Sequence, residues 1–224
     1  MSAPGTIHVV DDDASMRTSL SRLLGGAGYE VALYATAEEL LAVAGPALTG
    51  CILLDLRLPG ASGLELQDQL AARSCRAPVV FLTGHGDVPA SVRAMKRGAA
   101  DFLQKPVAAD ELLAAVSSAL LRDAETRRHL VELAELRALA DTLSDRQREV
   151  WLRVVRGDLN KQIAHDLGIV ERTVKLHRAK AMRKLHARST ADLVRVAERL
   201  GLAGARSSTG ATRRSGSGTG GQGS

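Results

Sequence analysis

Short apolar runs alternate with longer amphipathic stretches through the first half of the chain. Residues 6–10, 30–34, 51–54, 79–82 and 101–104 read as strands, whereas 14–25, 37–43, 63–72, 87–97 and the stretch from 108 onward show helical spacing. Five successive β-α units of this length predict a doubly wound parallel sheet with helices on both faces. Between 108 and 140 there is no Pro or Gly, and Ala, Leu, Glu and Arg predominate, a strongly helix-forming composition. The last sheet-covering helix therefore either continues into a linker helix or breaks near 122–126. The Leu130, Leu133, Leu136 and Val131 stripe lacks three clean heptads, which favours a domain-packing helix over a zipper.

From Leu143 the pattern is helical only. Ser144 is placed to cap a helix that ends at Gly157, a second helix covers 160–167 before Gly168, a third runs over 171–185, and a fourth over 190–200. Residues 207–224 are mostly Gly, Ser and Thr, too polar to bury, and are predicted to be disordered. The resulting division is 1–121, an α/β domain; 122–142, a helical linker; 143–202, an all-α domain; and 203–224, a tail.

Charge sharpens this division. Residues 1–122 carry 10 Lys and Arg against 13 Asp and Glu, whereas 143–202 carry 14 against 7, so the net charge of +5 for the 224-residue chain conceals an acidic half and a basic half. The basic half is the candidate polyanion binder. Two cysteines, Cys51 and Cys75, form neither a disulfide framework nor a zinc site and are expected as reduced core or near-core residues. No apolar run approaches the roughly 18 residues needed to span a bilayer, and there is no basic-then-apolar leader, so a soluble, cytoplasmic protein without a membrane partner is expected.

In a parallel α/β sheet, ligands bind beyond the carboxyl ends of the strands. The residues just past each predicted strand are therefore the candidates for chemistry. Asp11, Asp12 and Asp13 stand past the first, Asp55 past the third, Thr83 past the fourth, and Lys105 and Pro106 past the fifth. Carboxylates crowded at one edge repel unless a cation joins them, which points to a hard divalent ion with oxygen ligands, Mg²⁺ or Mn²⁺. Asp55 is the only charge in the run it ends, and Pro59-Gly60 supplies a turn soon after it.

These residues resemble the receiver domain of bacterial two-component response regulators, which has a flavodoxin-like fold. Val9-Val10-Asp11-Asp12, the isolated Asp55 with Pro59-Gly60, Thr83-Gly84 and Lys105-Pro106 occur in the family's order. The resemblance implies that Asp55 accepts a phosphoryl group from a sensor histidine kinase. It also implies that Asp12, Asp55 and the backbone carbonyl of Arg57 hold the metal while Asp11 acts mainly through water. Thr83 and Lys105 then contact the phosphoryl group, and Lys105-Pro106 is a cis peptide. Phe102 matches the aromatic that turns inward when the Thr moves, with a plain core role as its alternative. Arg57 and His85 stand where the family sets the lifetime of the phosphorylated state, and Asp13 is expected to be peripheral. A phosphatase with an aspartate nucleophile is the enzymatic rival, but Asp55-Leu56-Arg57 lacks the second acid of its Asp-X-Asp pattern, so no catalytic role beyond Asp55 is expected.

In the basic half, two short helices joined at Gly168, the second rich in Lys and Arg, fit a helix-turn-helix that reads a major groove. Leu143-Ser144, Asn160-Lys161-Gln162-Ile163-Ala164 and Arg172-Thr173-Val174-Lys175-Leu176-His177 resemble the LuxR-type DNA-binding domain. Lys175, Leu176 and Ala179 are the candidate base readers. Asn160, Lys161, Arg172, Thr173, Arg178 and Arg183 are the candidate phosphate contacts. Val174 and Met182 are expected in the core, and His177 either contacts phosphate or makes a buried hydrogen bond. Together the two halves resemble the NarL/FixJ class, and Thr83-Gly84-His85-Gly86-Asp87-Val88-Pro89 is similar to the FixJ branch in particular. That class implies promoter DNA and a homodimer formed on phosphorylation, with RNA polymerase as a candidate partner. The alternative is a phosphorylation-independent DNA binder with a degenerate switch.

Overall fold

The computed structural model describes residues 5–84 and 88–203. His85 and the Gly/Ser-rich tail therefore lie outside the described residues. The chain divides into two compact units, one running to His129 and one beginning at Leu130.

The first unit contains β1 (Thr6–Val10), α1 (Ala14–Gly26), β2 (Glu30–Tyr34), α2 (Ala37–Val43), β3 (Cys51–Asp55), α3 (Gly63–Ala72), β4 (Val79–Thr83), α4 (Val88–Lys96), β5 (Asp101–Gln104) and the start of α5 (Ala109–Asp141). The strands are all parallel in the order β2-β1-β3-β4-β5. This is the doubly wound, flavodoxin-like sheet. Successive strand residues point to opposite faces, so one strand feeds two cores. Val10, Ile52, Leu54, Val79 and Phe81 pack with residues of α2, α3 and α4. Ile7, Val9, Cys51, Leu53, Val80 and Leu82 pack with residues of α1 and α5.

Strand and helix bounds differ from the sequence reading by one residue or so, where element ends are set by capping and final ladder bonds. Asp13, expected to be peripheral to the acidic cluster, caps α1, its carboxylate accepting from the amides of Ser15 and Met16. A bond from the Ser15 hydroxyl, with those two amide bonds, holds its pKa below the ordinary carboxylate value. Helix α5 is unbroken through 122–126.

The second unit comprises the end of α5, then α6 (Asp145–Arg156), α7 (Asn160–Leu167), α8 (Glu171–Lys184) and α9 (Thr190–Arg199). Ser144 and Ser189 close capping boxes at the starts of α6 and α9. Trp151 is fully buried at the centre, and its indole N–H donates to the Leu193 carbonyl at 3.1 Å. Val174 is buried beside it in the same core, and Met182 packs against that core while half-buried. The end of α5 belongs to this core through Leu139 and Ala140, and Glu132 pairs with Arg199 of α9 at 2.5 Å. The stripe of Leu130, Val131, Leu133 and Leu136 lies outside this core, with Val131 exposed.

Candidate phosphoryl and DNA sites

At the carboxyl edge of the sheet, carboxylate oxygens of Asp11, Asp12 and Asp55 lie within 4.8 Å of one another. Asp11 is buried, Asp55 half-buried and Asp12 exposed, so the cluster opens to solvent on one side. Lys105 spans two of the acids, its Nζ donating to Asp11 Oδ2 at 2.6 Å and to Asp55 Oδ2 at 2.7 Å. Burial of this ammonium favours its neutral form, but the bonds and charges of Asp11 and Asp55 outweigh burial and raise its pKa. Three carboxylates against one ammonium leave net negative charge and an oxygen-only donor set, which fits Mg²⁺ or Mn²⁺.

Each group is placed by its strand end. Asp11 Oδ1 accepts from the Asp13 amide at 2.9 Å, which fixes the turn into α1. Asp55 closes β3, and its Oδ1 accepts from the Arg57 amide at 3.0 Å, while the Arg57 side chain is exposed. Thr83 closes β4 and is 1% exposed; its carbonyl accepts from the Lys105 amide at 2.7 Å, which places the lysine beside the site. Lys105-Pro106 is cis. Phe102 is half-buried with its ring centroid 6.1 Å from that of Phe81.

In the second unit Lys175, Leu176 and Ala179 are exposed on α8, with Leu176 at 51%. Arg172, Arg183 and Lys161 are exposed as well, and Asn160 and Thr173 are half-buried near the starts of α7 and α8. Arg178 is half-buried and donates to the Thr190 hydroxyl, a tie to α9. Both α7 and α8 begin without a side-chain cap, behind the exposed apolar residues Leu159 and Val170. His177 Nδ1 is buried and has no hydrogen-bond partner among the described residues.

Two buried polar constellations were missed by the sequence reading. Asp123 on α5 is 3% exposed; its carboxylate accepts from the Gly50 amide at 3.0 Å and pairs with Arg127 at 2.6 Å. Gly50 has φ +106°, and a Cβ there would lie 1.9 Å from the Thr6 carbonyl oxygen, so no other residue fits. Burial, with Asp123 nearby, pushes the Cys51 thiol up to about 12 and keeps it neutral. Asp123 was detectable, because it continues the buried stripe Leu112, Val116 and Ala119 at helical spacing. The second constellation centres on His8, whose Nε2–H donates to the Thr49 carbonyl at 3.0 Å while Nδ1 accepts from the Tyr34 hydroxyl at 3.1 Å. Burial lowers its pKa despite the opposing effect of the Thr49 bond.

The fold and this edge define a receiver joined to a helix-turn-helix output, and the similarities to known proteins agree. Residues 7–117 match the response regulator receiver domain, and residues 141–197 match the luxR family of bacterial regulatory proteins. Nodulation protein W of Bradyrhizobium diazoefficiens is 47% identical over 201 residues, covering 90% of this chain and 88% of that protein. Transcriptional regulatory protein FixJ of Azorhizobium caulinodans is 45% identical over 203 residues, covering 91% and 96%. The solved response regulator StyR superposes with a TM-score of 0.76 at 46% identity, covering 87% of this chain and 98% of that one. The chain belongs to the two-component response regulators, with a receiver and a LuxR-type DNA-binding domain.

Proposed function

We propose that Asp55 accepts a phosphoryl group from a sensor histidine kinase, and that this drives dimerisation and promoter binding through α8. The supporting observation is the convergence of Asp11, Asp12 and Asp55 on one edge with Lys105 bridging two of them. An Asp55 oxygen attacks phosphorus as the P–N bond to the donor imidazole breaks, and the imidazole leaves with the electron pair and takes up a proton. The step depends on position and charge neutralisation more than on nucleophile strength. Asp12, Asp55 and the Arg57 carbonyl would hold a divalent cation, with Asp11 acting mainly through water, and the ion would supply Lewis acidity to the phosphoryl oxygens. Lys105 neutralises a second oxygen, and the Thr83 hydroxyl donates to the acyl phosphate once formed. Thr83 and Phe102 sit on neighbouring strands, so a shift of the hydroxyl changes the face built from α4 and β5.

On α8, Lys175 donates to a guanine edge while Leu176 and Ala179 meet thymine methyl groups. Asn160, Lys161, Arg172, Thr173, Arg178 and Arg183 hold phosphates, helped by the uncapped amides that open α7 and α8. The test compares DNA affinity and oligomeric state with and without beryllofluoride or a small phosphodonor. The response should be present in the native chain and absent in Asp55→Asn; an unchanged response in that variant removes Asp55 from the mechanism, and no response in the native chain favours a phosphorylation-independent binder.

A further inference from the structure

At the opposite end of the receiver sheet, beside the starts of β4 and β5, three arginines gather. Arg76 precedes β4, Arg97 comes after α4 and Arg122 belongs to α5, and the three residues line one cavity of about 250 Å³ at the starts of β4 and β5. Asp68 is the one acid lining it, paired with Arg97 at 2.9 Å. Two positive charges are thus left over, in a half of the chain where acids outnumber bases.

Bringing three like charges together from three separate elements costs energy unless a counter-charge joins them, the same physics that calls for a cation at the acidic edge. Carbonyls offset only part of this. Arg122 gives one N–H to Ala100 O at 2.9 Å, and Arg97 gives one to Leu64 O at 3.2 Å, while each guanidinium has five. Arg76 has no hydrogen bond or ion pair among the described residues. Leu70, Ala77 and Val79 give the wall an apolar part, and Gln67 lines it as well.

We propose that this cavity is a binding site for a small phosphomonoester-like dianion with a short apolar body. Arg76 and Arg122 fork onto the oxyanion, as guanidinium groups do with phosphate, and Leu70 and Val79 support the body. The volume is below the roughly 300–1,000 Å³ of pockets for drug-sized ligands, which restricts the occupant to metabolite size. The incoming anion competes with Asp68 for Arg97.

The test is calorimetric titration of the full chain, without divalent cation, using phenylphosphonate, whose P–C bond precludes transfer to Asp55, and inorganic phosphate in a parallel arm. Phenylphosphonate should saturate a single site and bind more tightly than inorganic phosphate. Arg76→Ala and Arg122→Ala, both at exposed positions, should each weaken it by about tenfold, the loss of one charge-assisted pair. Asp68→Asn should tighten it. Equal affinity for the two anions overturns the apolar-body assignment, and absence of saturation, or undiminished affinity in the arginine variants, overturns the site.

Discussion

Lys105 and Lys175 are the same residue type put to opposite uses. The side chain of Lys105 is 15% exposed and held between two carboxylates, whereas Lys175 projects into solvent from α8 with no hydrogen bond or ion pair among the described residues. In the receiver the charges are already fixed in place, so on the proposed phosphoryl transfer little reorganisation would remain for the reacting complex. On α8 the charges await a polyanion and act by displacing its counterions, an attraction that salt weakens. A buried functional edge is sensitive to geometry, and an exposed one is sensitive to ionic strength.

The contrast can be broken at either end. The largest effect is expected for Asp55→Asn, which should abolish hydroxylamine-labile phosphate incorporation, read by intact-protein mass after exposure to a small phosphodonor, while salt-dependent basal DNA binding persists. Next is Gly50→Ala, where a Cβ meets the Thr6 carbonyl and the backbone is left-handed. A loss above about 3 kcal/mol in denaturant unfolding of the receiver is expected, with α6 to α9 unaffected.

Lys175→Ala should cost about 1–3 kcal/mol of binding and relax preference at one base pair, measured by titration against a set of operator variants. Lys161→Ala should instead weaken all sequences alike and reduce the salt slope by about 1. The smallest effect concerns pH. His8 has a folded pKa below its ordinary 6.5, so between the two values the unfolded chain binds more protons. Receiver stability should therefore be full above about pH 6.5 and decline as pH falls through that window, and His8→Gln should flatten the decline in chemical melts.

The candidate edge was legible because four of the five strands are followed by a short, ordered signal: Asp11-Asp12, Asp55, Thr83 and Lys105 all come after apolar runs, at positions a parallel sheet must bring together. The helical half was legible through its glycine stops and serine caps. The contacts that escaped share another property. Asp123 reaches a backbone amide 73 residues away, and His8 reaches partners 26 and 41 residues away, one of them a backbone carbonyl that carries no residue identity; only the Asp123–Arg127 pair is local. Local pattern reports that a side chain is buried, but not which distant amide or carbonyl satisfies it. The continuity of α5 was undecided for a related reason, since composition favoured a helix throughout and the ties holding each end come from elsewhere in the chain.

Asp123 also bears on how such regulators exchange parts. The match to the receiver family ends at residue 117, yet the buried carboxylate that holds the start of the Asp55 strand comes six residues later, and its arginine four beyond that. A chimera joined at 121 would give the Gly50 amide a stranger's residue in place of its acceptor, whereas one joined after Arg127 carries the whole ion pair with it. A receiver cut to keep the start of β3 anchored would therefore end inside a helix, beyond a charge pair, rather than at a loop.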